Sequence, residues 1–376
     1  MEKGHTYFAV EQLLPDVLVQ PWHLLLGMFF FILLIAGVIL FILLYLIRRT
    51  RRSALRLQLR NMYSELISEL AICETEDELY AFMQQPNVKE MLYRLLDDGF
   101  ARKVLITELL KTVKSMSGSA ANNVCWFYAQ TDLDKDSLHR LQHGAWHVKA
   151  KAIQELSGLR QRKQITKIYR LANHPNELIR NEARTAVVKL TGFEGLRFLD
   201  VITYPITAWQ QLCLLHELSF HKAQSFEQID RWLNSANSSV VEFTLQLIKV
   251  YKLYDLHPQV LGCLSHPSTA VRKKAINALQ GIYQPGAAKR LINQFQLEEK
   301  ELQLQILQLF EVHAGADELP FLFACLSSDD DSIKAAAAKA LYKTQPNGLS
   351  YIEQRVVATE YPWTILLPQL KQEEVA

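Results

Sequence analysis

Backbone-bending residues are sparse: the chain of 376 residues holds 14 Gly and 12 Pro. That scarcity, with 21% charged residues, excludes collagen-like, low-complexity and wholly disordered classes. Its five cysteines are too few for a disulfide-dense secreted scaffold. They are widely separated along the chain, so there is no CxxC motif for a metal or a redox couple. Also missing are a GxGxxG turn, a Walker A lysine loop, a GxSxG elbow and an EF-hand loop. The lack of Gly-rich strand–helix turns argues against nucleotide-binding folds. No catalytic motif is present, so the expectation is a binding protein without a cofactor rather than an enzyme.

The most informative absence is of charge. From Trp22 to Ile47 there is no Asp, Glu, Lys or Arg. As a helix this stretch would be about 39 Å long, enough to cross a hydrocarbon core of ~30 Å with some tilt. Trp22 and Tyr45 mark its two ends, where amphipathic rings favour the interface. The flanking charges are unequal. Residues 1–21 carry Lys3 against Glu2, Glu11 and Asp16, a net of −2. Arg48, Arg49, Arg51, Arg52, Arg56 and Arg60 follow, a net of +6. A signal peptide has its positive charge before the apolar run, and a small-residue cleavage site after it, so this order is inverted. The expected topology is a single pass through the cell membrane, short tail outside, with the arginines against anionic headgroups on the cytoplasmic side. The cysteines then sit in a reducing compartment, and the Asn237-Ser238-Ser239 sequon is silent.

Beyond the arginines, Leu55, Leu59, Met62, Leu66 and Leu70 keep helical spacing, so the apolar helix is expected to continue as a basic, amphipathic stalk. Thr75-x-x-Glu78 reads as a capping box for a short helix that Pro86 stops. Ser115–Ser119 is the expected boundary, which divides the chain into a tail (1–21), an apolar helix (22–47), a helical juxtamembrane region (48–116), a repeat array (117–345) and a C-terminal cap (346–376).

The array announces itself by periodicity. Val148, Ile179, Trp209, Val241, Val271, Leu302 and Ile333 open seven similar segments, at a nearly constant interval of about 31 residues. Four of them read V/I-R/K-x-x-A, as in Val148-Lys149-x-x-Ala152 and Val271-Arg272-x-x-Ala275. Offsets 0, 4, 7–8 and 11 share one helix face, and small residues there let a neighbouring helix approach. A second apolar helix fits each interval, such as Ile165–Leu171, Leu196–Ile202, Phe226–Leu233 or Leu319–Leu326. A helix–turn–helix unit of this size cannot bury its apolar face alone, whereas stacking seven buries a continuous core.

These segments, with the preceding turns Asn173-His174-Pro175, Ser265-His266-Pro267 and Asp329-Asp330-Asp331, resemble the HEAT-repeat family in its short bacterial form. The resemblance spans Asp132–Thr344 and implies an all-α solenoid, in which the recurrent base pairs with an acid of the adjacent repeat. Gln210, Glu242 and Gln303 replace that base in three copies. Scaffolds, transport adaptors and bilin lyases share the fold, so the resemblance implies a scaffold or adaptor first and a lyase-like or metal-dependent enzyme second.

The candidate sites follow. If the second helices line the concave side, offsets 2, 3, 6 and 10 point outward. Lys151, Asn181, Lys189, Lys273, Lys274 and Asn277 are then partner-binding candidates, with Arg184 at the edge. Residues 145–190 carry a net of +7 and residues 296–376 a net of −7, so an acidic or phosphorylated protein segment, or another membrane-bound protein, fits the basic end. Only Trp146 and Tyr169 interleave with those bases as aromatics, which argues against a nucleic-acid binder. His139-x-x-x-His143, with Asp132, Asp134, Asp136 and His147 nearby, has the spacing of a metal pair, though a solvated turn explains it as well. His216 and His221 diverge around a helix and cannot share zinc. Cys263 and Cys325, two repeat periods apart, are either small core residues or thiol nucleophiles.

Overall fold

A computed structural model describes residues 21–221, 229–344 and 347–375. Residues 1–20 of the expected tail therefore lie outside the described residues, as does the start of the expected helix Phe226–Leu233. Among the described residues every regular element is helical. The chain forms two compact units that divide between Gln130 and Thr131.

The first unit is built on one helix. α1 runs unbroken from Pro21 to Ile72, 52 residues. No Gly or Pro follows Gly37 in it, so nothing interrupts the backbone ladder between the apolar run and the stalk. Its surroundings change along its length. From Leu25 to Ile47 the large apolar side chains are exposed, Phe41 at 71%. From Leu59 onward, Tyr63, Leu66, Ile67 and Leu70 are buried. By length and composition, α1 is the one helix among the described residues able to cross a membrane.

α2 (Glu76–Gln84), α3 (Pro86–Leu96), α4 (Gly99–Ser115) and α5 (Gly118–Gln130) complete this unit. α1 packs against α4 and α5, which contribute Val104, Leu105, Leu109, Val124 and Phe127 to the core. Asn123 Nδ2 on α5 donates to the Leu70 and Cys73 carbonyls at 3.2 and 2.8 Å, satisfying acceptors that the end of α1 leaves open. Thr75 caps α2 as expected, its hydroxyl accepting from Glu78 N at 3.2 Å. The return bond goes one residue further back, from Glu74 N to Glu78 Oε2. Pro86 opens α3 at its first turn, where its missing N–H is not needed. α5, which the sequence reading set at the start of the array, packs on α1 and α4 instead.

The second unit is a row of helical pairs. In order they are α6 (Leu133–His143) with α7 (Trp146–Gly158), and α8 (Ile165–Tyr169) with α9 (Glu177–Thr191). Next, a 3-10 run over Gly192–Asp200 pairs with α10 (Ala208–Ser219), α11 (Ile229–Leu233) with α12 (Ser238–Tyr251), and α13 (His257–Gly262) with α14 (Thr269–Ile282). Last come α15 (Ala287–Phe295) with α16 (Lys300–His313), and α17 (Leu319–Cys325) with α18 (Asp331–Thr344). α19 (Gly348–Glu353) and α20 (Trp363–Val375) follow, and α20 covers α18 with Trp363, Leu367 and Leu370 among its buried residues. One apolar core runs from Leu141 to Leu370.

The periodicity is thus a repeat of helical hairpins, with the motif on the second helix of each pair. Ala152, Ala183, Ala275 and Ala337 are wholly buried, where α7 meets α9, α12 meets α14 and α16 meets α18. The third pair departs. The helix expected over Leu196–Ile202 is a 3-10 run, entered at Gly192 with φ +63°. A Cβ on Gly195 would lie 2.8 Å from Thr191 Oγ1 and 3.0 Å from the Val187 carbonyl, so glycine is what lets the chain return this closely against α9. Trp232 Nε1 donates to Asp200 Oδ1 at 2.7 Å and Ile206 N donates to Ser239 Oγ at 2.8 Å, which carries the stack into the fourth pair.

Candidate interaction surface of the helical array

The turns and the recurrent base form one device. His174 Nδ1 accepts from Asn176 N at 3.0 Å, and His266 Nδ1 accepts from Ser268 N at the same distance. Arg180 then donates to the Pro175 carbonyl at 2.9 Å, and Arg272 to the His266 and Pro267 carbonyls at 3.0 and 3.2 Å. The base therefore closes its own turn. It also reaches the next repeat, as the HEAT resemblance implies, at Arg272, whose Nε meets the buried Glu298 at 2.8 Å. At Arg180 the neighbour is an aromatic ring, Tyr204, 4.6 Å from the guanidinium. Lys334 stays local, with Asp331 at 3.1 Å.

Arg184 overturns its place as a surface residue. It is 0% exposed. Its Nε donates to the Ala172 carbonyl at 2.8 Å, and its other nitrogens to Gln210 Oε1, Tyr204 O and Pro205 O at 3.1, 3.2 and 3.4 Å. No carboxylate is among these acceptors. Burial, and secondarily Arg180, pulls its pKa down to about 10, still well above neutral, so the guanidinium is charged. Offset 5 faces the next repeat because the third pair lacks a regular first helix, and the loop before α10 bends in to supply carbonyls.

That cage sets how α10 is rolled. Gln210 and Gln211 are buried, and Gln210 Nε2 donates to the Asn181 carbonyl at 3.4 Å. Trp209, expected at a buried offset, is consequently 74% exposed. Leu212 and Phe220 share its face at 53% and 73%, and the His216 ring meets Phe220 edge-on at 5.0 Å. Positions i, i+3, i+7 and i+11 form one stripe on a helix, here an exposed apolar ridge in the middle of the array. Sequence reasoning missed it because an apolar residue at a repeat start reads as core. The Gln-Gln pair after Trp209 was the available signal.

The remaining candidates divide. Lys151 is exposed and Lys189 half-buried, and neither has an ion-pair partner among the described residues. The others serve as ties between adjacent second helices. Asn181 lends its carbonyl to Gln210, Asn277 Oδ1 accepts from Lys249 Nζ at 2.7 Å, Lys274 Nζ reaches Gln246 Oε1 at 3.4 Å, and Lys273 pairs with Glu301. Gln154 to Glu182 and Lys343 to Glu311 are further ties, at 2.8 and 2.5 Å. Lys249 was not foreseen; burial, and then the nearby Lys274, lower its pKa.

The His139 and His143 rings lie 4.8 Å apart. The aspartates around them are engaged: Asp132 by Lys135 at 2.8 Å, Asp134 by Gln164 at 3.3 Å and Asp136 by Arg140 at 3.0 Å. Among the described residues no group of three His, Cys, Asp or Glu side chains is placed to hold a metal ion. Cys263 and Cys325 are buried, and burial pushes both thiols up to about 11, the opposite of what a nucleophile needs.

Of the membrane-side arginines, Arg48, Arg49, Arg52 and Arg56 border one open side of α1 with Tyr45 and Ser53. Arg60 pairs with Glu108 at 3.5 Å, and the Arg56 guanidinium lies 5.7 Å from the centre of the Phe100 ring.

No protein-family model and no curated protein matches the chain. Solved structures with some likeness include an engineered protein, 12% identical over 83% of this chain and 98% of that one, with a TM-score of 0.38. A chain from the complex of Kap95p with RanGDP is 13% identical over 86% of this chain and 46% of that one, at 0.39. One from the CpcE–CpcF phycocyanin lyase of Nostoc sp. PCC7120 is 14% identical over 71% and 94%, at 0.23.

Proposed function

We propose that the chain is a membrane-anchored adaptor: α1 crosses the cell membrane once, the short tail before the apolar run lies outside, and the helical array binds a protein partner in the cytoplasm. The change of surroundings along α1 carries this reading. One helix has exposed, apolar side chains over Leu25–Ile47, then contributes to the core of a folded unit from Leu59 onward. Water is a poor solvent for the first section, and hydrocarbon is a good one. The six arginines that follow the apolar section, Arg48 to Arg60, resist translocation and set the orientation.

For the partner, the array offers the ridge of Trp209, Leu212 and Phe220, with Lys151 and Lys189 on neighbouring second helices. Bonds tie the three helices together: Gln154 on α7 bonds Glu182 on α9, and Gln210 on α10 bonds the Asn181 carbonyl on α9. An apolar centre with a polar, basic rim is the anatomy of a protein-binding patch. Lys273, Lys274, Asn181 and Asn277 belong to this reading as the ties that hold the surface in shape. The partner segment is acidic or phosphorylated, matching the lysines.

Protease protection tests the anchoring. In intact cells producing the chain, added protease should leave residues 48–376 uncut, and should digest them after permeabilisation. Digestion in intact cells, or release of the chain from membranes by alkaline carbonate, would overturn the reading.

A further inference from the structure

We propose that Arg48, Arg49, Arg52 and Arg56 form a cradle for the headgroup of a lipid diphosphate, two phosphates in line on a single lipid. The proposal rests on α1 crossing the membrane.

Placement is the first argument. Tyr45, Arg49, Arg52 and Arg56 stand at i, i+4, i+7 and i+11 on one face of α1, with Arg48 and Ser53 at its edges, and all six border the same open side of the helix. Compensation is the second. Between Tyr45 and Arg60 the sequence has no Asp or Glu. Among the described residues none of the four has a carboxylate within ion-pair distance, whereas Arg60, one turn on, is held by Glu108. Like charges three and four residues apart repel one another on a helix. Four guanidiniums without a carboxylate on one face therefore favour an anion beside them. The Arg56 guanidinium lies 5.7 Å from the centre of the Phe100 ring of α4, a cation–π contact that leaves its N–H groups available.

Height decides the ligand. Arg48 and Arg49 are the first charges past the apolar run that ends at Ile47, so on a spanning helix they come nearest to the phosphate of an ordinary phospholipid. Arg52 and Arg56 lie further along the same axis, Arg56 about 12 Å beyond Arg48 at 1.5 Å per residue. On a spanning helix that axis leads away from the bilayer. A single phosphate at the surface satisfies the first pair and leaves the second bare. A second phosphate in line with the first reaches the level of Arg52, within the span of Arg56. Guanidinium groups bind phosphate oxygens two at a time, so each level can hold one phosphate. The cradle is one helix face wide, which suits a linear diphosphate better than phosphates spread around a ring.

The test uses the full chain in phosphatidylcholine nanodiscs, with farnesyl diphosphate, farnesyl monophosphate and farnesol as probes sharing one tail. Microscale thermophoresis should give at least tenfold tighter binding of the diphosphate than of the monophosphate. R52Q/R56Q should lower the affinity for diphosphate to that for monophosphate and leave the monophosphate unchanged. R48Q/R49Q should weaken both. All four side chains are exposed, and circular dichroism would verify that the variants stay helical. Equal affinity for the two phosphates, wild-type behaviour of R52Q/R56Q, or equal displacement by phosphatidylglycerol would each overturn the proposal in favour of a diffuse anionic surface. Carbonate extraction separates the two readings. A chain that stays embedded but shows no preference loses only the cradle, and one that is released loses the anchor and the cradle together.

Discussion

Replacing Arg184 with Ala should destabilise the array by about 3 kcal/mol. The side chain is wholly buried and serves four acceptors: the Ala172, Tyr204 and Pro205 carbonyls and Gln210 Oε1. The bonds to Ala172 O and Gln210 Oε1 are buried, those to Tyr204 O and Pro205 O only partly so; orphaning a buried acceptor costs about 1–3 kcal/mol, so the two buried ones give about 2–6 kcal/mol. Against this stands the desolvation of the guanidinium, whose cost the substitution removes and which already shows as a pKa drawn down to about 10. At about 2–4 °C per kcal/mol for a unit of this size, the melting temperature should fall by about 6–12 °C. Differential scanning fluorimetry of the detergent-solubilised chain reads this. Hydrogen exchange should lose protection first in the segment from Ala172 to Gln211, since a repeat array can open locally. Arg184→Lys keeps the charge but brings one nitrogen to four acceptors, so it should fall between wild type and Ala. Gln210→Ala should couple to Arg184→Ala, the double variant losing less than the sum, because the two side chains share a bond. A surface arginine behaves oppositely: its loss changes stability by less than about 0.5 kcal/mol. A melting point within about 1 °C of wild type and unchanged exchange in Arg184→Ala would refute the buried cage.

Glu155→Ala should cost about 3 kcal/mol, because it strips Arg140 and Ser137 of a nearly buried carboxylate at 2.7 and 2.9 Å; urea unfolding followed by circular dichroism measures it. Trp209→Ala together with Phe220→Ala should leave the melting temperature within about 2 °C, since both rings are exposed, while reducing crosslinking to the partner; an unchanged crosslink pattern would remove α10 from the interface. Cys263 and Cys325 have thiols near 11, so at pH 8 only about 10⁻³ of each is thiolate, and alkylation should accelerate about tenfold per pH unit up to that value; Cys73 and Cys213, which are partly exposed, should label first in the native protein. Gly192→Ala should destabilise by at least about 1 kcal/mol, because φ is +63° and the new Cβ would meet the His221 ring at 3.0 Å; scanning fluorimetry would show it.

The sequence alone determined the features that depend on one local pattern. Charge-free length marked the apolar helix, and the absence of breakers after Gly37 let it run on into the stalk. A near-constant repeat period with Ala at fixed offsets determined the hairpins, because close approach of neighbouring helices requires small side chains at those places. The turn signals Asn173-His174-Pro175 and Ser265-His266-Pro267 were equally legible, since their bonds span only a few residues. Tertiary structure decided which way each helix is rolled. That depends on partners a whole repeat away, which a one-helix template does not contain. Arg184 lies one step off the outward offsets and is interior because the third pair folds as a 3-10 run against α9 and delivers carbonyls to it. Gln210 follows Arg184 inward, and Trp209 is carried outward in exchange. Lys273, Lys274 and Asn277 point toward the surface as their spacing predicts, yet adjacent helices bring Glu301, Gln246 and Lys249 within bonding distance and make them ties. α5 joins α1 and α4 for the same kind of reason, Asn123 finding the open end of a helix 53 residues earlier in the chain. Periodicity reports what a helix hides; only the packed neighbours settle what it hides against, and so which residues remain for a partner.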